Sequence, residues 1–149
     1  MKETTTALYR IKLPGFTTLS GVKQDIELSY QLFGAGLHSA PIVLVNHALT
    51  GNSNVTGSDG WWAALIGDGK CIDTQKYTVL AFNVPGNGYD GFVIDNYKDF
   101  VAGDIARIFI LGLQALKIDR LFAIIGGSLG GGIAWEMAAQ DARLTEHLI

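Results

Sequence analysis

Cysteine is almost absent: Cys71 is the single one in 149 residues. No internal disulfide can form, which suits a reducing compartment such as the cytoplasm. With no base evident beside it, Cys71 reads as a small buried hydrophobe rather than a catalytic thiol. Basic charge is also scarce. Eleven Lys and Arg stand against 14 Asp and Glu, a net charge of −3, and no Lys/Arg cluster marks a nucleic-acid footprint or an anionic membrane surface. No apolar run reaches the roughly 18 residues of a membrane span. The opening Met1–Thr6 is polar and lacks the apolar core of a signal peptide. The three histidines form no cluster with Cys or Asp at metal-ligand spacing, so no metal is expected. What remains, with 48% hydrophobic residues, is one globular domain or part of one.

Glycine, by contrast, is abundant, and it concentrates where the chain is most informative. Leu121–Ile125 is an uninterrupted apolar run, as in a strand buried on both faces of a parallel sheet. A helical run with Ile133, Trp135 and Met137 follows. Between them, Gly126-Gly127-Ser128-Leu129-Gly130 matches G-x-S-x-G in its required strand-to-helix context. Side chains at Gly126 and Gly130 would collide in so sharp a turn, and Ser128 would be held in strained geometry with its hydroxyl above the sheet. A glycine-rich turn binding phosphate at a helix N-terminus is the plainer alternative. A Walker loop is excluded because no Lys-Ser or Lys-Thr follows, and serine at the second glycine position fits a dinucleotide fingerprint poorly.

The preceding chain supplies the rest of a sheet. Leu8–Leu13 and Ile26–Leu32 alternate, with Pro14-Gly15 breaking the pattern, and read as an antiparallel hairpin at a sheet edge with one polar face. Pro41–Val45 and Tyr77–Phe82 read as buried parallel strands. Trp61–Ile66 reads as a short helix stopped by Gly67–Gly69, its two tryptophans serving core and loop packing. Asp99–Lys117 reads as a helix with one apolar stripe, and Thr145–Ile149 as the start of another strand. The order is hairpin, strand, helix, strand, helix, strand, elbow, helix. That is the N-terminal half of an α/β-hydrolase fold, an α/β architecture whose mostly parallel strands carry helices on both faces.

In such a fold, backbone N–H groups of the residue after the nucleophile and of a loop from an earlier strand form the oxyanion hole. These correspond to Leu129 and to the neighbourhood of Leu49, in the loop Asn46–Asn52. His47 lies in the same loop. It could be the base for Ser128, but in this fold the base follows the serine, so a histidine bracing the loop is the favoured reading. His38 precedes a strand in a polar loop and reads as solvated. Residues 129–149 hold Glu136, Asp141, Glu146 and His147, all too early for the acid and the histidine of a triad.

Several separated motifs carry a family resemblance. His47-Ala48-Leu49-Thr50-Gly51, Gly60-Trp61-Trp62, Gly67–Asp73, Tyr77, Asn83-Val84 and Gly126–Gly131 resemble the homoserine O-acetyltransferases, from about residue 20 onward. The resemblance implies an enzyme of methionine biosynthesis that moves acetyl from acetyl-CoA, a co-substrate rather than a bound cofactor, to the hydroxyl of L-homoserine. Ser128 is then the nucleophile, and Leu49 and Leu129 are the oxyanion donors. It also implies that residues 1–149 are the N-terminal part of a single catalytic domain, inactive alone, and it admits a homodimer of the complete protein. Gly132 and the loop Val84–Asp90 depart from the family pattern, so relatives using succinyl-CoA or other acceptors stay open. So do a plain esterase and a non-catalytic binding module on the same scaffold. Ending at Ile149, the chain is expected to leave the Leu121–Ile125 strand uncovered on one side, prone to self-association.

Overall fold

Residues 7–149 are described by a computed structural model; the polar Met1–Thr6 stretch lies outside the described residues. The chain forms β1 (Tyr9–Thr17), β2 (Lys23–Gly34), β3 (Ile42–Asn46), β4 (Ile66–Gly67), β5 (Ile72–Asp73), β6 (Thr78–Phe82), α1 (Ala102–Ala115), β7 (Leu121–Gly126), α2 (Leu129–Gln140) and β8 (Thr145–Leu148). Six strands make one sheet in the order β1-β2-β6-β3-β7-β8. β1 and β2 pair antiparallel, β2 pairs antiparallel with β6, and β6, β3, β7 and β8 run parallel. The expected α/β-hydrolase half-sheet is therefore present.

Every position of β3 and β6 is buried, because alternate side chains of their apolar runs feed two different cores. Leu44, Leu80 and Phe82 point into a core built with Ile105, Phe109 and Met137 of the two helices. Val43, Val45, Val79 and Ala81 point into a second core with Val55, Ile66 and Trp62. Among the described residues, both α1 and α2 belong to the first core, so the expected helices on both faces are found on one of them. The other face is roofed by the segment between β3 and β6.

Trp61–Ile66 is part of that roof, and it is not the expected helix. Its backbone forms consecutive turns, with Trp61 and Trp62 donating their N–H groups outward, to Asn54 and Val55 carbonyls at 3.3 and 3.0 Å. Ile66 then enters a two-residue ladder with Ile72. Cys71 lies in the connecting turn and is exposed, not buried as expected, since a tight turn between two short strands has no interior.

Three further expectations change. Pro14-Gly15 does not end β1; the strand passes it as a bulge between Leu13 and Phe16. The helix does not start at Asp99. A 3-10 turn, Tyr97–Asp99, is followed by extended Val101, and α1 starts at Ala102. There the Asp104 carboxylate accepts the Val101 N–H at 3.2 Å and fixes the helix start. Finally, β7 is not left uncovered. β8 runs along it with Leu121↔Thr145, Ala123↔His147 and Ile124↔Leu148 in register, so the apolar run is paired on both sides.

Candidate active site

Ser128 sits where the sequence places it, between β7 and α2, with φ 55° and ψ −124°. A positive φ on a non-glycine residue is sustained only where neighbours enforce it. The enforcement is steric. A Cβ on Gly130 would overlap the Asn46 carbonyl and come within 2.7 Å of the His47 oxygen. A Cβ on Gly126 would overlap Gly130 and come within 2.8 Å of the Gly131 nitrogen. The first turn of α2 therefore packs directly onto the ends of β3 and β7. Ser128 is left exposed, at the N-terminus of the helix, where free N–H groups and the helix dipole favour developing negative charge.

The loop after β3 provides the facing wall. Leu49, 75% exposed, lies in the turn closed by Gly51 N–H donating to the Ala48 carbonyl at 2.9 Å. Leu49 and Leu129 line one cleft of about 350 Å³ together with Val84, Ile94, Phe100 and Ile105. The two residues expected to supply the oxyanion donors thus line the same cavity.

His47 is the residue whose role the geometry resolves. It is buried, its Nε2 accepts the Val84 N–H at 2.9 Å, and its Nδ1 lies 2.7 Å from the Ala48 carbonyl. Because Val84 must donate, Nε2 carries no proton and Nδ1–H donates to Ala48. Burial pushes the ring below the usual imidazole pKa, and the Ala48 bond opposes this only in part. With both nitrogens engaged, His47 braces the loops after β3 and β6, as expected, and has no free nitrogen with which to take a proton from Ser128.

A second brace was not anticipated. The Asn83 carboxamide oxygen accepts from Ser53 N–H at 2.8 Å and from Asn87 at 3.2 Å. Its Nδ2 donates to the hydroxyls of Ser29 at 2.8 Å and Ser53 at 2.9 Å. Ser53 in turn donates to Gln31 at 2.7 Å. Ser29 and Gln31, the polar face of β2, are each 1% exposed; the face expected to be solvated is a buried polar seam, since β2 is an interior strand. Asn83, the first residue past β6, was the available signal.

The other candidates lie elsewhere. His147 is paired opposite Ala123 and packs edge-on against Phe122 with ring centroids 4.9 Å apart. Ala123 is five residues before Ser128, well down the strand from the elbow. Asp141 accepts the Arg143 N–H at 3.0 Å. His38 is exposed and lies 3.0 Å from the Leu116 carbonyl at the end of α1. The tryptophan rings pack together at 4.7 Å, and Trp61 Nε1 anchors the Asn52 carbonyl at 2.9 Å. Among the described residues, no group of His, Cys, Asp and Glu is arranged to hold a metal, and no helix is long and apolar enough to cross a membrane.

A family model described as alpha/beta hydrolase fold matches residues 41–148. The chain belongs to the α/β-hydrolase fold family. Within it, the chain is 36% identical over 126 residues to the homoserine O-acetyltransferase of Nitrobacter hamburgensis, covering 70% of this chain and 31% of that protein. It is 35% identical over 149 residues to the homoserine O-succinyltransferase of Magnetococcus marinus, covering 86% of this chain and 36% of that protein. The crystal structure of homoserine O-acetyltransferase from Staphylococcus aureus superposes with a TM-score of 0.82 at 34% identity, over 95% of this chain and 45% of that one. The resemblance read from the motifs is borne out. This α/β-hydrolase chain spans about a third of the length of those curated relatives, and acetyl and succinyl names stand at nearly equal identity.

Proposed function

We propose that this segment is the nucleophile-bearing part of a CoA-dependent homoserine O-acyltransferase. The observation that carries the reading is Ser128 held at positive φ, at the N-terminus of α2, beside a cleft that Leu49 and Leu129 share. Ser128 Oγ attacks the thioester carbonyl while its proton passes to a general base. The N–H groups of Leu49 and Leu129 receive the charge that grows on the carbonyl oxygen, each worth about 3–4 kcal/mol of barrier. CoA leaves as the thiol, and the acyl-serine is then attacked by the hydroxyl of L-homoserine.

In this reading the base and its acid partner come from residues beyond these 149. His47 has both nitrogens engaged, and His147 and Asp141 are committed away from the elbow. Residues 1–149 alone then retain at most about 10³-fold catalysis over water.

The test is to incubate the full-length protein with acetyl-CoA alone. One equivalent of CoA should be released in a burst, with acetyl on Ser128, and added L-homoserine should be converted to its O-acyl ester. Ser128→Ala should lower the rate by about 10⁴-fold or more. Equal labelling of that variant places the nucleophile elsewhere. Acyl transfer to water alone, with homoserine untouched, marks an esterase instead.

A further inference from the structure

The apolar run Ile42-Val43-Leu44-Val45 ends on a polar residue, Asn46, that is as fully buried as the run itself. Its side chain lies beneath the start of α2. The amide Nδ2 donates to the Gly130 carbonyl at 3.4 Å and lies 3.9 Å from Met137 Sδ. Among the described residues, no donor reaches Oδ1. Turning the amide over would set its oxygen against the Gly130 oxygen, so the orientation seen is the better of the two. Because Asn46 is fully covered, chain beyond these residues reaches it only by displacing the packing above it.

A buried amide with one end unpaired works against folding. An apolar side chain would continue the Ile-Val-Leu-Val run without that penalty, so stability does not account for Asn46. Its position does. Asn46 stands beside Gly126 in the β3–β7 ladder, and it meets Gly130 twice. Its main-chain carbonyl leaves no room for a side chain at Gly130, and its amide holds the Gly130 carbonyl. Gly130 directly follows Leu129, and Leu49 lies three residues after Asn46. One residue therefore sets the first turn of α2 against the strand end from which the facing loop departs.

We propose that Asn46 is a positioning residue for the oxyanion hole, keeping the Leu129 N–H in register with the Leu49 N–H although an apolar residue there would be more stable. It acts through Gly130 and, being buried, meets no substrate. Donors fixed in advance stabilise charge on the carbonyl oxygen without reorganising. A small displacement of the first turn of α2 therefore slows the chemical step and leaves substrate binding unchanged. The inference rests on the acyl-serine reading given above.

The test compares the full-length parent with Asn46→Leu, which keeps the approximate shape and removes both polar ends. Asn46→Val repeats the comparison with a smaller side chain, in case leucine overfills the site. The unfolding midpoint in denaturant should equal or exceed the parent's. The acetyl-CoA burst that labels Ser128 should slow about tenfold, with KM for acetyl-CoA within about twofold of the parent's. A small alkylboronic acid, tetrahedral once its boron binds the Ser128 oxygen, gives a second readout. Its affinity should weaken by about the same tenfold, as happens when contacts to the transition state alone are lost. Burst and boronate affinity equal to the parent's in a folded variant overturn the role of Asn46 and leave the acyl-serine reading intact. Midpoints below the parent's in both variants make Asn46 a packing residue and overturn it too. A parent that leaves Ser128 unlabelled overturns both readings.

Discussion

Around Ser128 the backbone is held by close packing, with Gly126 and Gly130 leaving no room for a side chain against the ends of β7 and β3. Across the cleft, around Leu49 and Val84, it is held by hydrogen bonds from two buried side chains, His47 and Asn83. Packing of the first kind is short-range and sharply distance-dependent, so it tolerates almost no substitution. The second kind spreads over several donors and acceptors, and its weakness is different: each partner removed strands others in a low-dielectric interior.

The sharpest way to break the packed side is Gly130→Ala. The new methyl would overlap main chain of β3 rather than a yielding side-chain end, so about 3 kcal/mol of stability should be lost. Denaturant unfolding of the full-length protein measures it, and a loss under about 0.5 kcal/mol would show that the elbow has room the distances deny. On the hydrogen-bonded side, Asn83→Leu removes the hub of the seam and strands the Ser53 N–H and two hydroxyls. About 2 kcal/mol should go, with acyl transfer weakened as the loops after β3 and β6 loosen. A stability equal to the parent would mean the seam is ornamental.

His47 yields the smallest effect and the most specific one. Burial lowers its pKa in the folded state, so below the ordinary value of about 6.5 the unfolded chain binds the proton more readily. The stability contributed by the neutral ring is complete above about pH 6.5 and is lost as pH falls through the lower folded value. Protonation would also turn an N–H at Nε2 toward the Val84 N–H. His47→Gln should therefore reduce the drop in unfolding free energy between about pH 7.5 and about pH 5.

The same contrast explains what could be read from residues alone. The elbow was legible because close packing restricts residue type: few patterns other than glycine-x-serine-x-glycine fit between a buried strand and a helix. The sheet was legible for a similar reason, since runs such as Ile42–Val45 and Thr78–Phe82 suit a strand covered on both faces. The polar seam was not. Ser29 and Gln31 alternate with apolar neighbours as a solvated face would, and alternation does not distinguish water from a buried partner. The partners lie 54 and 22 positions away, at Asn83 and Ser53. Trp61–Ile66 misled for a related reason. Its composition suits a helix, but Trp61 and Trp62 are tied to Asn54 and Val55 and Ile66 is paired with Ile72, partnerships that local propensity does not contain.

The φ of 55° at Ser128 has an evolutionary consequence. A glycine would occupy that position with less strain, by about 1–3 kcal/mol, so the fold is more comfortable without the hydroxyl than with it. Lineages of this chain released from selection for its chemistry would gain stability from the single change Ser128→Gly, whereas serine would persist only where the hydroxyl is used. The residue at 128 therefore serves as a record of selection: among close homologues, its loss to glycine would date the end of catalysis more directly than any change in the core.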